Sequence, residues 1–306
     1  MSISVVIPAY NSSKYIAQTL QSVLGQTFPA TEILVIDDGS TDDTAIIAER
    51  FGPPVRVIRR QNARQAASRN FGVAEATGEW VAFVDADDIW EPNKLELQMA
   101  ELEVYPEADV CYTARTEMLQ IGQEVRLGKR LPAPTPEELR ECLLEKTGFL
   151  PSTVIIRRSV FLEMKGFDTR FTIVEDWDFW LRLFHAGVKF VGCEEALVRY
   201  RIHPASVSHR ATVMLEEQAV ILRERVLPHV PSFKRPFHYH RVLSGKESSA
   251  AYVLRTVGSR GDLGMMCRSL LRWPVGDLHR YKVLAHMALS RLLPSPTAAL
   301  NTLRSR

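Results

Sequence analysis

Asp85-Ala86-Asp87-Asp88 crowds three carboxylates into four residues directly after the apolar run Trp80 to Val84. Carboxylates that close repel one another unless a cation sits between them, and hard oxygen donors suit a Mg²⁺ or Mn²⁺ carrying a substrate phosphate. Two more polar clusters follow apolar runs in the same way: Asn11-Ser12-Ser13 after SISVVIPAY, and Asp37-Asp38-Gly39-Ser40-Thr41-Asp42 after EILVI. A fourth acidic group, Glu175, Asp176 and Asp178, opens VEDWDFWLRLFHAG, which reads as a helix whose dipole favours carboxylates in its first turn. A carboxylate held in that way can take a proton from a hydroxyl, so Asp176 is a candidate general base. Trp177 and Trp180 beside it serve either as core or as a stacking platform for a ligand.

The elements that must position these groups are legible in the spacing. Ile3–Ile7, Glu32–Ile36, Val55–Ile58 and Trp80–Val84 are short, β-branched runs suited to buried parallel strands. Helical patterns follow at 14–24, with an Asn or Ser cap expected, then at 42–50, 63–76, and onward from Pro92. In such a doubly wound α/β sheet the clusters fall at the carboxyl ends of neighbouring strands, where ligands bind. Strands are further expected at 110–113, 153–157, 188–191 and 197–200, with a Pro-rich loop at 131–136 and a helix at 137–146. Beyond Arg210 the pattern is purely helical: 214–227, 241–256, 263–271 and 278–293. The expected division is 1–214, with halves 1–110 and 111–214, followed by a helical region 215–306.

Composition excludes several classes. With 46% apolar and 24% charged residues the chain is neither disordered nor collagen-like. Cys111, Cys142, Cys193 and Cys267 match no zinc or disulfide spacing, which fits a reducing, cytoplasmic setting. No run of 18 apolar residues reads as a membrane span, and no secretory leader is expected. The net charge of +2 hides an asymmetry: of 38 Lys and Arg and 36 Asp and Glu, 15 and four lie from residue 221 onward, leaving 23 and 32 before it. The basic part is expected to face an anionic surface, peripherally at the inner face of a membrane, through a helix at 278–293. Nucleic acid is not expected as a partner.

SVVIPAYN (4–11), ILVIDDGSTDDT (33–44), ASRNFGVAEATGEWVAFVDADDIW (67–90) with PNKLE after it, and GFD (166–168) followed by EDWDFWLR (175–182) together resemble a family 2 glycosyltransferase of the GT-A fold. The resemblance covers about residues 3–210; the remainder resembles no named family. It implies an inverting transfer from a nucleoside-diphosphate sugar, a UDP-sugar first, to a hydroxyl of a saccharide or lipid-linked saccharide in cell-surface polysaccharide or glycolipid assembly. By the same resemblance Asp85 and Asp87 are the D-x-D pair, with Asp87 the direct ligand of Mn²⁺ or Mg²⁺ and His203 a further one. Pro8, Ala9, Tyr10 and Asp38 form the base and ribose pocket. Arg69 faces the nucleotide, and Arg201 lies near the diphosphate. Arg64 departs from the pattern, since relatives often carry glycine there; either it contacts the nucleotide itself or the loop backbone differs. A sugar nucleotidyltransferase and a non-catalytic sugar-nucleotide-binding scaffold are the rival readings. The first would want a Gly-rich basic loop where PAYNSSKY stands.

Overall fold

The computed structural model describes residues 1–121, 123–202, 211–256, 262–274, 281 and 284. The chain divides into two compact units, Met1–Ser206 and Val207–Arg306. The first opens with β1 (Ile3–Ala9), α1 (Ile16–Leu24), β2 (Glu32–Asp37), α2 (Thr44–Glu49), β3 (Val55–Arg59), α3 (Arg64–Glu75) and β4 (Trp80–Phe83). It continues with β5 (Ile89–Trp90), α4 (Lys94–Val104), β6 (Val110–Ile121), β7 (Glu124–Leu131), α5 (Pro136–Glu145), β8 (Val154–Arg157), α6 (Arg158–Glu163), α7 (Glu175–His185) and β9 (Phe190–Ile202). The sheet runs β3-β2-β1-β4-β8-β6-β9-β5, with β7 on β6. Pairing is parallel from β3 through β4 and again between β6 and β9. It is antiparallel where β8 joins β4 to β6, and at β5 and β7.

Burial on both faces explains the continuous apolar runs. Ile3, Val5, Ile7, Ile33, Val35, Trp80 and Ala82 form one core with Ile16, Leu20, Leu95 and Met99 of the covering helices. Helix α3 approaches β1 closely because Gly72 has no side chain: a Cβ there would lie 2.4 Å from Val6 Cγ1.

Local expectations were modified in three places. The Asn-Ser-Ser cluster does not cap α1 with its side chains; Ser12 O accepts the N–H groups of Tyr15 and Ile16. Its remaining groups tie it to the neighbouring turn, with Asn11 N donating to Ser40 Oγ, Ser12 N to Thr44 Oγ1 and Ser13 N to Asp42 Oδ2. The strand expected at 110–113 runs on to Ile121 and returns as β7, an exposed hairpin arm whose polar sequence gave no burial signal. The strands expected at 188–191 and 197–200 are one, β9, held in parallel register to β6 with shifts around Ala114.

The second unit holds α8 (Ala211–Ile221), a π-helical turn Leu222–Val226, α9 (Arg235–Thr256) and α10 (Asp262–Arg272). Ala250, Ala251, Met265 and Met266 form its core. Glu247 there is buried and doubly bonded by Arg272. The helix expected at 278–293 lies, apart from Tyr281 and Leu284, outside the described residues. Among those described, no helix is long and apolar enough to cross a membrane.

Candidate active site

Because β1 lies between β2 and β4, the chain leaves all three strands at one edge of the sheet. Ala9 is in register with Asp37, and Asp38 donates its backbone N–H to Ala9 O at 2.8 Å. Pro8 and Ala9 are buried, whereas Tyr10 is 52% exposed at that edge. The buried Asp38 carboxylate accepts the backbone N–H groups of Ala63 at 2.9 Å and Arg64 at 2.8 Å, which fixes the start of α3. Arg64 has a φ of +72°, a left-handed conformation that glycine takes freely and L residues take at a cost. The backbone therefore has the form a glycine would favour, and what is distinctive is an exposed guanidinium at the edge. Asp42 acts locally, accepting from Ser13 N and from Thr44. Burial pushes its carboxyl up, but those hydrogen bonds outweigh it and hold the group below its ordinary range.

The D-x-D segment is held from three sides. Asp85 Oδ1 accepts from Arg69 at 2.6 Å and from Gln65 at 3.0 Å, while Asp85 N donates to Ser152 Oγ. Thr19 Oγ1 donates to the carbonyls of Ala86 and Asp88. Asp88 is fully buried, and its Oδ1 accepts the N–H of Arg201. Burial, then the charges of Asp87 and Asp85, push its carboxyl well above the ordinary range. The sequence shows three adjacent carboxylates but not which of them turns inward.

Two expected nucleotide contacts need correction. Arg69 does not face a nucleotide: it is 1% exposed, and its guanidinium bridges Asp85 and Glu175, each at 2.6 Å. One carboxylate on each side holds one terminal nitrogen, so the residue acts as a strut. Arg201 is likewise 2% exposed, donating to Asp87 O at 2.7 Å and to the side chains of Gln120 and Gln18, and it lies over the Tyr15 ring. Each of its three nitrogens is thereby tied to the protein, so it positions the D-x-D loop. His203 lies outside the described residues.

Helix α7 begins beside this cluster. The turn before it is pinned by Asn70, whose amide donates to Phe167 O and accepts Phe167 N, each at 2.8 Å. Asp178 is locked to Arg182, and Glu175 to Arg69. Asp176 is 7% exposed, with Oδ2 accepting from Thr147 at 3.2 Å and Oδ1 from Trp177 N at 2.7 Å. Burial, then the neighbouring Glu175 charge, push its carboxyl up to about 7. Trp177 is no stacking platform. It is 1% exposed, with its indole donating to Leu143 O, and Trp180 is buried beside Phe149 with its indole on Phe149 O. An indole needs one acceptor when buried, and both find a backbone carbonyl in the core.

Residues 4–164 match the family model described as glycosyl transferase family 2. The chain belongs to glycosyltransferase family 2. The amylovoran biosynthesis glycosyltransferase AmsB of Erwinia amylovora is 30% identical over 212 residues, 66% of this chain and 70% of that one. Among solved structures, S. aureus TarS 1–349 in complex with UDP-GlcNAc superposes with a TM-score of 0.58 at 22% identity, covering 89% of each chain. Mannosyltransferase PcManGT from Pyrobaculum calidifontis, in complex with GDP-Man and Mn²⁺, gives 0.58 at 17% identity, covering 99% of this chain and 84% of that one. These likenesses show the GT-A fold. In this family 2 glycosyltransferase the matched residues end just after α6, so Asp176 and β9 lie beyond them.

Among the described residues no three of His, Cys, Asp and Glu gather as a metal cage. The donor set still fits a hard cation. Asp88 is raised by burial first and then by the charges of Asp87 and Asp85, a repulsion that a cation at the half-buried Asp87 would relieve, and Mg²⁺-type ions usually draw their remaining oxygens from water and substrate phosphate.

Proposed function

We propose that this enzyme transfers a sugar from a nucleoside-diphosphate sugar to a hydroxyl acceptor in one displacement, with inversion at the anomeric carbon. The observation that carries the reading is the Arg69 bridge: one buried guanidinium joins Asp85 of the D-x-D segment to Glu175, the residue before Asp176. Donor-side carboxylates and candidate base are thereby fixed on one frame. Asp176 takes the acceptor proton; its elevated carboxyl matches a base working near neutral pH. Glu175, committed to Arg69, is not placed to attack the sugar, which favours inversion over a covalent intermediate.

Asp87 and Asp85 would hold Mn²⁺ or Mg²⁺, and such an ion supplies neutralisation of charge on a departing diphosphate. Tyr10, with Pro8, Ala9 and Asp38 beneath it, forms the base and ribose pocket, and the exposed Arg64 reaches the nucleotide. The solved neighbours carry UDP-GlcNAc or GDP-Man, which supports a nucleoside-diphosphate donor, and a UDP-sugar is our first choice. The name of AmsB supports polysaccharide assembly, with a saccharide or lipid-linked saccharide as acceptor. Residues 1–110 hold the donor and 111–214 the acceptor, while 215–306 seats the enzyme peripherally at the inner, cytoplasmic face of an anionic membrane.

The test is a thermal-shift panel of nucleoside diphosphates and their sugars with Mn²⁺, followed by NMR of the product's anomeric configuration. A ligand that binds only the folded state raises its apparent stability. Retention of configuration would overturn the single displacement.

A further inference from the structure

Arg115 sits on β6 at the register shift against β9, where Ala114 pairs with Ala196 but Arg115 pairs with Val198. Such an irregularity re-aims side chains and recurs next to active sites. The result is an unusual cation. Its Nε is buried and has no hydrogen-bond partner among the described residues, and Arg115 makes no ion pair there, whereas in the same region Arg69 is ion-paired to Asp85 and Glu175 and Arg201 donates to Asp87 O, Gln120 and Gln18. Burial pushes it below the ordinary guanidinium range, against the opposing pull of Tyr200, Glu117, Asp176 and Asp88, the last two of them groups of the site. Glu175 Oε2 is also buried without a hydrogen-bond partner among the described residues.

A guanidinium withdrawn from water without a bound anion is costly, and the planar fork matches phosphate oxygens. The charges of the candidate base Asp176 and of Asp88 both reach Arg115, and Asp88 belongs to the segment in which a departing diphosphate would be held. We propose that Arg115 binds the terminal phosphate of the departing nucleoside diphosphate. The proposal rests on the glycosyltransferase reading and adds to it a cation carried on β6, away from the three strand-end clusters. In the reaction the bond between the anomeric carbon and the phosphate oxygen breaks as the acceptor oxygen bonds to that carbon. Arg115 donates to the oxygen that takes the electron pair.

Titration calorimetry of the full chain with Mn²⁺ tests this, comparing UDP and GDP with UMP and GMP for wild type, Arg115→Gln and Arg115→Lys. A charge-assisted hydrogen bond is worth roughly a 10- to 100-fold change in affinity. Arg115→Gln should lose about that much diphosphate affinity and leave monophosphate affinity unchanged, with partial recovery in Arg115→Lys. The unliganded melting temperature of Arg115→Gln should not fall, because the guanidinium makes no ion pair among the described residues and its burial outweighs the pull of the surrounding charges. Equal diphosphate binding by wild type and Arg115→Gln overturns the proposal, as does a parallel loss of monophosphate binding or a drop in melting temperature, either of which marks a structural role. A wild type that binds neither diphosphate would instead bring down the choice of a UDP- or GDP-sugar as donor, on which the proposal rests.

Discussion

Asp176 carries two opposite dependences on pH. As a base it works only when ionised, so turnover should rise with pH through about 7, and Asp176→Asn should lose roughly 10²- to 10⁴-fold while keeping donor binding. Its carboxyl is raised in the folded chain, which therefore binds more protons than the unfolded chain between the ordinary carboxylate range and about 7. Stability from this group is thus lost as pH rises through that window. Asp176→Asn should accordingly gain melting temperature at pH 8 and little or none at pH 4; a loss at both would mean that Thr147 and Trp177 hold the carboxylate as a structural anchor. Arg64 poses the reverse trade. Its φ of +72° costs on the order of 1 kcal/mol, so Arg64→Gly should raise the melting temperature. Weaker nucleotide binding in the same variant would show that the side chain reaches the donor, and unchanged binding would remove it from the site.

Helix α3 and helix α4 show what the period of a sequence reveals and what it hides. Strand and helix alternation placed β1 to β4 and the polar and acidic clusters that follow β1, β2 and β4, because burial on both faces forces continuous apolar runs. Partners are not written in that pattern: Arg69 lies six residues before Glu75 on an ordinary helix, and nothing in its neighbours announces Glu175, 106 residues away. The same is true of Trp177, whose type suits a sugar platform and whose burial makes it core, and of β7, whose polar run reads as loop. In α3, Gly72→Ala would gain helix propensity of up to about 1 kcal/mol. The added Cβ would meet Val6 Cγ1 at 2.4 Å and Ile36 Cγ1 at 3.1 Å, branched side chains within the sheet, and overpacking of about 1–3 kcal/mol should win. Destabilisation on chemical denaturation is the expected outcome. In α4, Lys94 is fully buried, its amine on Gln98 and over the Trp90 ring, and burial pushes its pKa down to about 7. The unfolded chain holds that proton up to the ordinary lysine range, so the wild type gains stability as pH rises from about 7 towards 10.5. Lys94→Met should therefore stabilise the fold at pH 7, by an amount that shrinks as pH is raised. A gain independent of pH would assign it to packing alone.

At the scale of the whole chain the basic surplus and two exposed phenylalanines fall in the same part of the sequence. From residue 221 onward there are 15 Lys and Arg against four Asp and Glu. Within it Phe233 is 79% exposed and Phe237 56%, with Phe237 edge-on to Trp273 at 4.5 Å and Lys234 over the Phe233 ring. Single exposed apolar residues are ordinary on a surface, but two phenylalanines one helical turn apart with basic neighbours have the chemistry of an interfacial anchor. Each basic residue near an anionic leaflet contributes about 1 kcal/mol, and salt screens that term over about 10 Å at 0.1 M. The full chain should then float with anionic vesicles at low salt and release as salt is raised. Phe233→Ser with Phe237→Ser should weaken flotation and leave nucleotide binding untouched, since both lie in the second compact unit and the strand-end clusters in the first. If wild type ignores anionic vesicles at low salt, the surplus charge must serve the acceptor or another protein, and a lipid-linked acceptor would have to reach the enzyme by some other route.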